Sequence, residues 1–371
     1  MNKGSILVIA DDLTGAAELG GIAVRYGLST QIMQNLDLTS TAQVQILNTN
    51  TRSLKIDEAM ATLGRIFANT TMQDWAWIYL KFDSALRGHI KEELLFYQAI
   101  LGMTRIFFCP INPNLRRVIK GDEYLIDNQP IAETAFAHDP EFPVRTSKLR
   151  DMLGSNQWSL VETVAQVTEE NKHIIPAVAS WEELDSWGRY ISSADLCSGA
   201  AAFFEVLLRN RLESAGMAEK IAFSLQRPIL YVCGSNHTQS VERVAQLDAD
   251  TLVFWQRAGR EWAIAQQLLG VLRTKGLAVF AIEESVVASA REIRESMARA
   301  LALLAEDVAL AELVIEGGAT AQAVLNALDI AILQPVLEYG PGVIRCQVPD
   351  RELMVTLKPG SYPWTEELWT F

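Results

Sequence analysis

The chain has no CxxC pair, no GxxxxGK[ST] loop, no GxGxxG turn and no HExxH segment. These absences exclude a structural zinc ribbon, a P-loop, the usual dinucleotide fingerprint and a zincin. Its four histidines, at 89, 138, 173 and 237, are isolated from one another, which argues against a histidine-based triad. Its four cysteines, at 109, 197, 233 and 346, are equally scattered. Cys109 and Cys233 end apolar runs and read as buried thiols of a reduced, cytoplasmic protein. Basic residues are outnumbered, 32 Lys and Arg against 45 Asp and Glu, for a net charge of −13. That excludes the basic face a nucleic-acid binder needs, although a local cluster can still bind small anions. No apolar run reaches the roughly 20 residues of a membrane span. Residues 199–208 are broken by Glu205, and 301–315 by Glu306 and Asp307. Asp11 and Asp12 likewise cut short the run that a signal peptide would need.

What is present is a globular composition, 49% hydrophobic and 21% charged, long enough at 371 residues for two or three domains. Short apolar runs at 5–10, 30–33, 44–48, 76–82 and 105–109 alternate with helix-like stretches at 15–27, 57–69 and 89–101. This rhythm predicts a mostly parallel sheet covered on both faces. A proline-punctuated excursion fills 110–145, and the rhythm then returns with a strand at 173–178 and helices at 181–190 and 199–214. A second series begins near "RPILYVCGS" and runs through strands at 251–255, 277–281 and 312–318, with helices at 259–274, 286–306 and 319–328. The expected division is 1–224 and 225–371, each half an α/β domain with its own sheet.

Ligands of open α/β sheets bind at the carboxyl ends of strands. "ADDLTGA" (10–16) places Asp11, Asp12 and Thr14 there. Capping of the next helix by Asp12 explains one carboxylate, not two. "KFDSALRGH" (81–89) places Lys81, Asp83, Ser84 and Arg87 after another strand. Arginine grips a carboxylate with two parallel hydrogen bonds, and aspartate accepts from hydroxyls, so the two loops suit a small polyhydroxy acid. "NPNLRRVIKG" adds Arg116, Arg117 and Lys120, either as a solvated loop or as an anion contact. The second half supplies glycine turns beside strands: "CGSNHTQS" with Ser235; "EGGAT" with Gly317, Gly318 and Thr320; "YGPGV" with Gly340, Pro341, Gly342 and Val343; and "LKPGSYP" with Lys358 and Gly360. Together they could cradle a phosphate through backbone N–H groups. A phosphoacceptor receiver domain is disfavoured, because "VQILNTNT" ends in asparagines where an aspartate is required.

In this order the motifs resemble the four-carbon acid sugar kinase family. "ADDLTGA", "KFDSALRG", "LRRVIKG", "CGSNHTQ", "GGAT", "GPGV" and "KPGSYP" follow the family's succession over nearly the whole chain. The resemblance implies an ATP-dependent kinase acting on threonate, erythronate or 3-oxo-tetronate, with Mg2+ arriving on the nucleotide. The first domain would hold the acid, with Asp11, Asp12, Thr14, Lys81, Asp83, Ser84, Arg87 and Arg116 as its contacts, and either Asp12 or Asp83 as the base, Asp12 preferred because it directly follows the first strand. The second would hold ATP, and the active site would lie in the cleft between the two. No resident metal, nucleic acid or membrane is implied, and a homodimer is left open. The chain departs from the family at Ala319, Ile344, Ser361 and Pro363, all in the nucleotide half. Ala319 and Pro363 support the alternative of a non-catalytic relative that binds an acid sugar without using ATP; an unrelated α/β enzyme is a further alternative.

Overall fold

Each strand of the first sheet carries apolar side chains on both faces, as a parallel sheet between helices requires. The computed structural model describes residues 4–68, 75–139, 141–154, 157–212, 223–235, 237–283, 286–360 and 362–369. The expected helix ends at residue 69 and at 213–214, together with Pro140 and Ser361, lie outside these residues. The chain divides into two compact units. One comprises residues 1–19 and 35–216, the other 20–34 and 217–371.

In chain order, β1 (Ile6–Ala10) leads into α1 (Leu13–Arg25), within which the two units divide, and β2 (Thr30–Met33) belongs to the second unit. The first unit resumes with β3 (Val44–Asn48), α2 (Ile56–Phe67), β4 (Trp77–Lys81), α3 (Ile90–Leu101) and β5 (Ile106–Cys109). The proline-rich excursion is not a plain loop. It contains β6 (Arg117–Lys120), β7 (Glu123–Ile126) and β8 (Gln129–Pro130), an antiparallel sheet of its own. Then follow α4 (Leu149–Met152), β9 (Trp158–Val161), β10 (His173–Pro176), α5 (Trp181–Tyr190), β11 (Leu196–Gly199) and α6 (Ala201–Arg211). The main sheet runs β3-β1-β4-β11-β5-β10-β9 and is parallel throughout. After β1 the chain moves to one side, to β3, and then to the other, to β4. The β1–β4 junction is therefore a topological switch point, where loops diverge and leave room for a ligand.

The second unit contains β12 (Ile229–Cys233), α7 (Thr238–Val244), β13 (Leu252–Trp255), α8 (Glu261–Lys275), β14 (Leu277–Ile282), α9 (Ala290–Ala305), β15 (Glu312–Glu316), α10 (Gly318–Ala327), β16 (Ile332–Gly340), β17 (Val343–Gln347) and β18 (Met354–Lys358). Its sheet runs β13-β14-β12-β15-β18-β17-β16-β2. The pairs from β13 to β18 are parallel; those from β18 to β2 are antiparallel. Here the switch point lies between β12 and β15. Ser180 and Ser289 cap α5 and α9 by accepting the N–H of Glu183 and Glu292, each at 3.2 Å. The four cysteines are buried free thiols. No described helix is long and apolar enough to cross a membrane.

Candidate active site

Asp11 and Asp12 extend from β1 at the first unit's switch point, and a single arginine joins them. Arg52, in the loop after β3, donates from Nε and Nη2 to the two oxygens of Asp11 at 2.9 and 2.6 Å. Its Nη1 donates to Asp12 Oδ2 at 2.5 Å. Asp12 Oδ1 meanwhile accepts the N–H of Gly15 at 2.8 Å and so caps α1, which is why the helix begins at Leu13. The adjacent carboxylates are thus reconciled by one shared guanidinium and one cap. Burial raises the Asp11 carboxyl above the usual range, against the pull of Arg52. Thr14 is half-buried in the first turn of α1.

The loop after β4 supplies the facing half. Arg87 donates from Nε to Asp83 at 2.6 Å and from Nη1 to Asp139 at 3.5 Å. Burial alone would raise Asp83, but Arg52, Arg87 and Arg117 outweigh it and hold the carboxyl well below the usual range. Gly88 has φ +95, and a Cβ there would lie 3.2 Å from Arg52 Cγ and 3.5 Å from Asp11 Oδ2. Glycine lets this loop close on the Asp11–Arg52 pair. The Ser84 hydroxyl accepts from Arg117 Nη1, and the Tyr124 hydroxyl donates to the Ser84 carbonyl, so β6 and β7 are tied onto this edge. Arg117 Nε is buried without a partner, and both Arg117 and Arg87 stand over the Phe136 ring, at 5.4 and 5.9 Å.

One expected contact lies elsewhere, and another, Lys81, stands beside the cluster with its charge acting on Asp11 but its ammonium held by other groups. Arg116 is not at the cluster: its side chain is 77% exposed and pairs with Asp127. Arg116 closes a short helical turn at φ +51, whereas Arg117 opens β6 and is the one that reaches Ser84. Lys81 is buried over α1, its ammonium bonded to the Phe82 carbonyl at 3.0 Å and to Glu18 at 3.2 Å. In the motifs Arg117 figures only within a basic loop, beside Arg116 and Lys120, and Arg52 not at all. The signal for Arg52 was available, since it follows β3 at the same sheet edge as Asp11.

In the second unit, three glycine turns meet at the carboxyl ends of the neighbouring strands β12, β15 and β18. The Gly234 N–H donates to the Glu316 carbonyl at 3.2 Å, and the Gly317 N–H to the Lys358 carbonyl at 2.9 Å. A Cβ on Gly234 would lie 2.2 Å from Thr320 Oγ1, and one on Gly360 would lie 2.8 Å from Ser235 Oγ. Gly342, at φ +72, sits against Tyr362 and Pro359, which brings the Gly340–Val343 turn to the same group. Gly317 and Gly318 open α10, whose first N–H groups have no intrahelical acceptor. Ala319 is exposed on that first turn, and Pro363 is exposed beyond the last. Ile344 is buried, its Cδ1 where a Cβ on Gly21 would stand.

Lys358 was expected as a phosphate-facing charge, but its side chain is fully buried. Its ammonium donates to Glu316 at 2.5 Å and to the carbonyls of Pro359 and Gly360 at 3.1 and 3.4 Å. Glu316 also accepts from the Ser240 hydroxyl. Lys358 therefore braces the turns from beneath.

A sugar-binding N-terminal domain model matches residues 6–204, and a nucleotide-binding C-terminal domain model matches 235–362. A D-threonate kinase of Bordetella bronchiseptica is 27% identical over 91% of this chain and 88% of its own length. A 3-oxo-tetronate kinase of Pectobacterium atrosepticum is 23% identical over 96% of this chain and 95% of its own. This chain belongs to the four-carbon acid sugar kinase family. The family fold recurs in a crystal structure of a Salmonella typhimurium LT2 protein, with TM-score 0.79, 19% identity and coverage of 97% of this chain and 96% of that one. In this family member, the Asp/Arg cluster falls within the sugar-binding match and the glycine turns, from Ser235 onward, within the nucleotide-binding match.

Proposed function

We propose that this chain is an ATP-dependent kinase that phosphorylates a hydroxyl of a four-carbon sugar acid of the threonate, erythronate or 3-oxo-tetronate type. The observation that carries this reading is the cluster of three aspartates and three arginines at the β1–β4 switch point. Arginines alone would suit any anion, and aspartates alone any polyol; interleaved, they suit a molecule that is both. Arg87, a third exposed, and Arg117, with a free buried Nε, grip the substrate carboxylate. Asp11, Asp12 and Asp83 accept from its hydroxyls, and Ser84 and Thr14 complete the contacts.

Asp12 is the base. Asp83 is held too acidic by its three arginines to take a proton readily, whereas Asp12 is 20% exposed and each of its oxygens keeps a free lone pair. The attacking hydroxyl oxygen bonds to the γ-phosphorus, the bond to the β-bridging oxygen breaks, ADP leaves, and the hydroxyl proton passes to Asp12. Ser235, Gly317, Gly318, Thr320, Gly340, Pro341, Gly342, Val343 and Gly360 form the phosphate cradle, where missing Cβ atoms and the start of α10 present backbone donors. Mg2+ comes with the nucleotide; among the described residues no group of three or more His, Cys, Asp or Glu side chains could hold an ion. We assign acid binding to 1–224 and nucleotide binding to 225–371, in a cytoplasmic protein.

The test is a coupled assay for ADP release with D-threonate, D-erythronate and a 3-oxo-tetronate. Turnover with at least one acid is expected, and Asp12→Asn should lower kcat by about 10²–10⁴-fold without changing the melting temperature much. Acid binding by calorimetry, with no nucleotide bound at millimolar ATP and Mg2+, would replace the kinase with a binding protein.

A further inference from the structure

We propose that Phe136 is a positioning residue of the acid-sugar site: its ring seats the Arg87 and Arg117 guanidiniums and aims them at the substrate carboxylate without using up their hydrogen-bond donors. The proposal rests on the reading of that cluster as the acid site. Phe136 comes from the proline-rich excursion, and its ring centre lies 5.4 Å from Arg117 Cζ and 5.9 Å from Arg87 Cζ. A guanidinium at such a distance is attracted by the negative face of the ring.

The two arginines are otherwise held in different ways. Arg87 gives Nε and Nη2 to Asp83 at 2.6 and 3.3 Å and Nη1 to Asp139 at 3.5 Å. Arg117 forms no ion pair among the described residues, and its hydrogen-bond acceptor there is the neutral Ser84 hydroxyl. The donor on its Nε is buried and idle. Leaving such a donor unmade is costly unless a ligand takes it. A carboxylate partner would hold Arg117 as firmly, but it would occupy the fork that a ligand needs. A ring holds the charge and leaves the fork free.

The ring itself is fixed by its segment. Phe136 lies in a short helical turn, Ala135–His138, that is closed at both ends. Thr134 Oγ1 accepts the Phe136 N–H at 3.3 Å, and the Phe136 carbonyl accepts the N–H of Asp139 at 3.3 Å and of Val144 at 3.0 Å. Asp139 Oδ1 accepts the N–H groups of Glu141 and Phe142 at 3.0 and 2.8 Å, which leaves Oδ2 to Arg87. One segment thus places both the ring and the second anchor of Arg87. Two cations that share a ring repel each other, and a carboxylate bound at their free donors relieves that repulsion.

Two measurements on wild type, Phe136→Leu and Phe136→Tyr test this. Leucine keeps apolar bulk and loses the ring; tyrosine keeps the ring, and the half-buried position accommodates both. In the first, D-threonate and D-erythronate are titrated calorimetrically without nucleotide. Acid affinity should fall by about tenfold in Phe136→Leu and return to within about threefold in Phe136→Tyr, with melting temperatures close to wild type. In the second, the arginine Nε–H resonances of protein labelled with 15N-arginine are recorded without ligand and assigned through Arg87→Lys and Arg117→Lys. Leucine should shift the Arg87 and Arg117 resonances, and tyrosine should leave them near their wild-type positions. Arg105, which stands 5.2 Å from the Phe107 ring centre, is the internal control and should not move. Unmoved Arg87 and Arg117 resonances overturn the ring seat. Shifted resonances with acid affinity unchanged overturn the positioning role, as does an affinity loss that tyrosine fails to restore. Shifted resonances with neither acid bound by wild type support the ring seat and overturn the acid-sugar reading instead.

Discussion

Arg116 and Arg117 are chemically identical, adjacent, and oppositely placed. Arg116 sits at φ +51 at the end of a short helical turn, its guanidinium in solvent beside the exposed Asp127. Arg117 opens β6 and turns inward to Ser84 and Phe136. An exposed pair contributes little, so Arg116→Lys should leave acid binding unchanged. Arg117→Lys loses the planar fork, and charge-assisted bonds of that kind contribute about 1.5–3 kcal/mol, so acid affinity should fall by roughly tenfold or more. Calorimetric titration of the acid into both variants decides; equal effects would remove Arg117 from the site. The motif "LRRVIKG" announced a basic loop, but nothing in its sequence says which arginine turns inward. That depends on where β6 begins. Arg52 was obscured for another reason: it is separated by 40 residues from Asp12, and only the parallel pairing of β1 with β3 brings their ends together.

At the scale of elements, long and strongly apolar runs were legible and short or mixed ones were not. The α/β rhythm identified β1, β3, β4 and β5 from the apolar character that two-sided burial demands. It missed β11, the strand between β4 and β5, because "LCSG" offers only four residues with a serine and a glycine among them. Tertiary contacts compensate. Ser198 Oγ donates to the Phe107 carbonyl at 2.8 Å, and a Cβ on Gly199 would lie 2.0 Å from the Cys109 carbonyl. The glycine turns were each weak signals, and their meeting at β12, β15 and β18 comes from sheet order. Lys358 is the instructive case, since its place beside a glycine turn suggested a charge facing a phosphate. With Lys358 and Glu316 both fully buried, removing one charge strands the other, at a cost of about 3–5 kcal/mol. Lys358→Met should lower the melting temperature markedly, and adding Glu316→Gln should recover much of the loss. A normal melting temperature with ATP affinity alone reduced would return Lys358 to the phosphates.

For the molecule as a whole, acid response follows from where its carboxyls lie. The chain carries a net charge of −13, so mild acidification relieves general repulsion. Asp83 acts in the opposite sense. Burial would raise it, but Arg52, Arg87 and Arg117 together hold its native pKa well below the ordinary 3.8. A depressed native value means that the unfolded chain binds the proton more readily, so the stabilisation is complete above about pH 4 and is lost as pH falls toward the native value. Asp83→Asn removes the charge and keeps the shape. At pH 7 the variant should melt below wild type by the equivalent of about 2 kcal/mol, a buried-pair loss reduced because Arg87 is 33% exposed. As pH falls below about 4, the wild-type advantage should shrink, because wild type must then either protonate Asp83 or pay to keep it charged. Melting curves of both proteins at half-unit steps from pH 7 to 2.5 show the effect directly. A difference that stays constant across the whole range would mean that the three arginines do not hold Asp83 ionised, and the charge balance proposed for the acid site would fall with it.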